Sequence, residues 1–217
     1  MAAAGIQDIM LSTARFFPTA VGVTLGIVGL ATARLPWLFV SVGMIPLAVV
    51  VSVLQVILSK GSQNTSAGHI YETCSLAPIP GGNTVYGYVP SMWLSLTSFL
   101  LTVFLSSGIV VATAKPTAKA ANEALPVQQR KGVGTLSIIS CVVLLLFMIL
   151  LRYRSGCEGI LGLLTGLVIG IIFGLTWWHV VMRAGGPAAW DVHGVMIGTQ
   201  PGSLRTSALA CLPTGQP

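Results

Sequence analysis

The residues best suited to acid–base, metal or thiol chemistry are five carboxylates, three histidines and four cysteines, and their spacing keeps them apart. Asp8, Glu72, Glu123, Glu158 and Asp191 all fall outside the long apolar runs. Pumps and proton-coupled carriers hold ionisable groups at membrane depth, so this placement counts against active transport. His69, His179 and His193 form no i, i+4 pair of the kind that binds a metal on a helix. There is no Gly-rich phosphate loop, nucleophile elbow or CxxC pair. The reading is of a chain that is not an enzyme and takes no metal or other cofactor. A passive pore lined by backbone or hydroxyl groups stays open as a reading, although no stretch resembles a filter.

Three smaller signals carry local chemistry. Ser155-Gly-Cys-Glu158 has the [ST]-x-x-[DE] form of a capping box. In such a box the Ser155 hydroxyl accepts from the Glu158 amide while the carboxylate reaches back, and its charge suits the positive end of a helix. Cys74 and Cys157 fall on one side of the topology derived below. A disulfide between them fits an oxidising compartment, and two free thiols fit the same residues. Asn64-Thr-Ser66 is an N-glycosylation sequon in the same loop as Cys74.

The elements that position these groups are apolar. Hydrophobic residues make up 54% of the chain and charged residues 7%, against about 25% charged in a soluble domain; mean hydropathy is +0.88. Five stretches free of Asp, Glu, Lys and Arg approach the 17–25 residues needed to cross about 30 Å of hydrocarbon: 17–33, 38–58, 91–114, 133–151 and 159–182. In the last, Gly162, Gly166, Gly170 and Gly174 recur every fourth residue and so form one stripe down a helix. Each would cost about 1 kcal/mol relative to Ala in a water-exposed helix. In lipid, a strip without side chains lets another helix approach closely, and such van der Waals packing holds membrane helices together. The Gly22–Gly26 pair of the first span is the expected partner.

The fold class is therefore all-α: a polytopic transmembrane bundle of about five spans with an irregular exterior loop and a C-terminal tail. Residues 1–58 make an N-terminal segment and transmembrane hairpin, closed tightly at Arg34-Leu-Pro-Trp37, with a kink expected at Pro46. The opening AAAGIQDIMLSTARFF is amphipathic, without the pattern of a secretory signal. Residues 59–90 form the exterior loop, in which GGNTVYGYV has strand and turn character. Residues 91–182 form a three-span bundle whose 115–132 connection is basic, and 183–217 a Gly- and Pro-rich tail. Arg34, Lys115, Lys119, Arg130, Lys131, Arg183 and Arg205 fall on one side, against Arg15, Lys60, Arg152 and Arg154 on the other. The first side is expected to be cytoplasmic. The net charge of +6 is spread over segment ends and lacks the basic stripe of a nucleic-acid binder, so no nucleic acid is expected.

Four pieces in order, VPSMWLSLTSFLL, VQQRKGVGTLSII, RSGCEGILGLLTGLVIGIIFGLTWW and WDVHGVMIGTQPG followed by ACLP, resemble small polytopic membrane proteins of nucleocytoplasmic large DNA viruses, the phycodnavirus and mimivirus-like group. The resemblance covers residues 85–217 and, more loosely, the first hairpin. It implies a structural virion protein of the internal membrane, a minor capsid component whose partners are the lipid bilayer and other membrane or capsid proteins during viral assembly. The alternative is a small cellular channel- or carrier-like membrane protein in which the same glycine zipper packs a bundle around a pore.

Overall fold

Within a hydrocarbon core no water satisfies backbone amides and carbonyls, so an open apolar run must bond internally as helix. The computed structural model describes residues 2–61, 89–113, 124–154, 158–190 and Val192. Regular structure among them is helical: α1 (Ala2–Ala31), α2 (Leu35–Gly61), α3 (Met92–Thr113), α4 (Ala124–Arg154) and α5 (Ile160–Trp190). The GGNTVYGYV segment lies, but for its last residue, outside the described residues.

The helices outrun the apolar spans. Four are long and apolar enough to cross a membrane, over Leu35–Leu58, Met92–Thr113, Lys131–Arg154 and Ile160–Ala184. The expected fifth span falls short, because the apolar part of α1 is only Phe16–Ala31, about 24 Å at 1.5 Å per residue. Helix α4 begins inside the expected 115–132 connection, and α5 runs to Trp190, past the boundary expected at 183. Hydropathy marks where lipid would end; hydrogen bonding carries the helix further.

Neighbouring helices run antiparallel. Gly22, Gly26 and Gly29 of α1 face Met44, Ser41 and Leu38 of α2 in opposite order. Gly108 and Ala112 of α3 likewise face Ser137 and Gly134 of α4, and α5 returns parallel to α3. The chain ends that lead into 62–88 therefore share one end of the bundle with the α4–α5 turn, as the charge count anticipates. Helix α3 is central: residues 93–103 are buried without interruption. Its neighbours keep one face outward, with Leu136, Val143, Leu164 and Ile172 each more than half exposed, as lipid-facing positions should be.

The α1–α2 turn shows why the hairpin is tight. Arg34 N–H donates to Gly29 O at 2.9 Å and Ala33 N–H to Leu30 O at 3.3 Å, the paired bonds of a Schellman motif. The residue that turns the chain is Ala33, with φ 52°, a left-handed conformation in which Cβ crowds the following carbonyl. Pro36 then sits in the first turn of α2, where a missing amide costs nothing. Pro18 and Pro46 lie inside α1 and α2, which continue through them. Replacing Ala33→Gly should stabilise the protein by about 1 kcal/mol, read as a higher melting temperature in detergent.

Candidate functional site: the small-residue seam between α3 and α5

The glycine stripe of α5 is buried along its length, and what covers it is α3. A Cβ at Gly166 would lie 2.7 Å from the carbonyl oxygen of Ser91 and 3.0 Å from its Cβ. One at Gly170 would collide with Ser98 Oγ and the carbonyl oxygen of Ser95, and one at Gly174 would stand 3.0 Å from Thr102 Cβ. Gly162 contributes its backbone, since its carbonyl accepts the Ser91 amide at 3.1 Å. The partner is thus a second stripe, Ser91, Ser95, Ser98 and Thr102, rather than the expected Gly22–Gly26 pair. Those two glycines instead admit Met44 and Ser41 of α2.

Serine hydroxyls can face a dry seam because each finds its bond within its own helix. Ser95 Oγ donates to Ser91 O at 2.7 Å, and Ser98 Oγ to Leu94 O at 2.7 Å. Thr97 Oγ1, also buried, does the same to Trp93 O at 2.9 Å. Satisfied in this way, a serine is little larger than alanine and carries no unmet polar group. Ser91 also caps α3: its Oγ accepts the Leu94 amide at 3.0 Å, as an N-cap should. Gln55 Nε2 of α2 donates to Pro90 O at 2.8 Å, so three elements meet where α3 begins.

Near the same end lies an ion pair. Arg152 of α4 and Glu158, before α5, meet at 2.5 Å with side chains 5% and 7% exposed. The guanidinium sits 4.8 Å from the centroid of the Trp93 ring, a cation–π geometry. The Trp93 indole N–H in turn donates to Ala14 O of α1 at 3.1 Å. The expected capping box takes a different register. Helix α5 starts at Ile160, with Gly159 O accepting the Leu163 amide, so Glu158 precedes the helix instead of occupying its third position. Its carboxylate turns to a buried cation, a stronger partner than a backbone amide. Ser155 lies outside the described residues, as do Cys74, Cys157 and Asn64 with the disulfide and glycan they suggest.

A second close crossing escaped the sequence reading. A Cβ at Gly134 of α4 would lie 2.7 Å from the Ala112 amide nitrogen and 2.8 Å from Gly108 O. Central α3 is thus approached at backbone distance from two sides. The spacing of Ser91, Ser95, Ser98 and Thr102 is a readable sign of the first contact, since small hydroxyls serve beside glycine at such a seam. The second rests on isolated glycines and has no such pattern.

No group of three His, Cys, Asp or Glu that could hold a metal occurs among the described residues. Among the described residues an apolar cleft lies between Phe39, Val103, Trp177 and Val181. His179 is exposed on α5 and Cys141 is a free, buried thiol of α4. Comparison with protein-family models, with curated proteins and with solved structures gives no match for this chain.

Two substitutions separate the contacts. Gly170→Ala should cost about 1–3 kcal/mol by overpacking, because the Ser95 carbonyl cannot swing aside; Ile172→Ala, on the exposed face, should change the melting temperature much less. Glu158→Ala should cost about 3–5 kcal/mol by leaving Arg152 buried without its countercharge, and the double replacement with Arg152→Met should recover part of that loss. Thermal denaturation of the purified variants in one detergent checks both.

Proposed function

We propose that this protein is a structural membrane protein, a packing scaffold whose spans hold a fixed arrangement while its loops and tail meet other components of an assembly. The observation that carries this reading is the burial of α3. Residues 93–103 of this helix are buried without interruption, so the described helices pack around a solid centre. Small-residue seams on two faces draw the neighbouring backbones against that helix, an arrangement suited to rigidity.

The setting we propose is the internal membrane of a large DNA virus particle, with the protein linking bilayer to capsid proteins during assembly. This rests on the motif resemblance over residues 85–217 and on features that suit such a role: outward apolar faces for lipid, and long segments at both ends of the bundle for protein contacts.

Two experiments test the two levels separately. After expression in membranes the protein should remain in the pellet on alkaline carbonate extraction and, reconstituted in liposomes, should leave ion and small-solute permeability at the level of empty vesicles. Flux that Gly170→Ala abolishes would favour the channel reading instead. Quantitative mass spectrometry of purified virus particles encoding this chain should find it in fixed proportion to the capsid proteins; absence from particles would overturn the virion assignment and leave the scaffold reading standing.

A further inference from the structure

We propose that the contact between Trp37 and Val192 is a latch that couples the chain just past the end of α5 to the conformation of the α1–α2 hairpin. Just past the end of α5, Val192 is 4% exposed. Both halves of this residue are engaged by the opening turns of α2. Its carbonyl accepts the Trp37 indole N–H at 2.8 Å. It also lines an apolar cleft with Pro36, Phe39, Val40, Trp178 and Val181.

Trp37 is itself held from the hairpin side. The Arg34 guanidinium lies 5.1 Å from its ring centroid, one residue past Ala33, whose left-handed backbone makes the turn. Val192, Trp37, Arg34 and the turn thus form one unbroken chain of contacts. Lifting Val192 away would strip the indole N–H of its acceptor and open an apolar cleft, both unfavourable. The closed state therefore favours one hairpin geometry, and a coupling free energy of this kind is reciprocal. Anything that pulls Val192 away loosens the hairpin, and a disturbed hairpin frees Val192.

The test uses the full-length protein in detergent. Trp37→Phe keeps the ring and removes only the donor. Limited trypsinolysis after Arg183, within α5, should then run about two- to tenfold faster, the effect of losing one hydrogen bond. Cleavage after Arg205, beyond the contact in sequence, serves as the internal reference and should not change. In the opposite direction, Val192→Asp should raise amide hydrogen exchange at residues 32–34 while exchange within 93–103 stays at the wild-type level. Unchanged Arg183 cleavage in Trp37→Phe would show that the contact does not hold the end of α5. Unchanged exchange at 32–34 in Val192→Asp would show a tether without coupling. Either result overturns the latch.

Discussion

The backbones of α3 and α5 touch along a line from which side chains have been removed on one side and reduced to bonded hydroxyls on the other, and the remaining packing is arranged around that line. In water such a contact would bury little apolar area and contribute little. In lipid the apolar term between helices largely cancels, because acyl chains are as apolar as leucine, and closeness of approach sets the interaction. Gly166 and Gly170 meet Ser91, Ser95 and Ser98 at distances that leave no room for a methyl group, and Gly174 meets Thr102 closely enough to crowd one. With α5 seated there, α3 is covered on one flank. The Gly108–Gly134 crossing covers another, and Val40, Met44, Leu47 and Val51 of α2 close the core.

The two ends of the bundle are fastened by different chemistry. At one end the ties are polar: the Ser91 cap, the Gln55 bond to Pro90, and the Arg152–Glu158 pair beneath Trp93. A buried pair of this kind adds little net stability over an apolar replacement, yet it strongly penalises any arrangement that separates the charges. Its role is to fix the α4–α5 turn against α3. At the other end the ties are aromatic. Trp177 of α5 donates its indole N–H to Phe39 O of α2 at 2.9 Å and stacks near-parallel on Phe173. Trp37 takes up Val192 beside it. Tryptophan suits both tasks, having a large apolar body and one donor to place.

Much of this architecture is legible in the residues. Runs without charge gave the helices, four-residue glycine spacing gave the buried face of α5, and Arg34-Leu-Pro-Trp37 gave the tight hairpin. What escaped reading has physical causes. Helix ends were misplaced because hydropathy reports the solvent and not the hydrogen-bond ladder, so α4 and α5 run past their apolar windows. The partner of the glycine stripe was sought among glycines, although a serine bonded to its own helix is nearly as small. Glu158 fits a local cap by spacing, but the competing cation six residues back is visible only once α4 and α5 fold against each other. Function is the least legible level, because packing patterns carry no reacting groups.

The claim on which the rest stands is that the glycine face of α5 packs on α3 within one chain. Disulfide trapping tests it most directly. Ser98 and Gly170 would place their Cβ atoms 3.0 Å apart, so that a parting of the two backbones by under about 1 Å brings them to the separation a disulfide spans. A protein carrying Ser98→Cys and Gly170→Cys, with its native cysteines replaced, should cross-link within the monomer under mild oxidation. The pair Gly22→Cys and Gly170→Cys should not, since Gly22 faces Met44. Efficient cross-linking of 22 with 170, or a 98–170 bond found only between chains, would contradict the account.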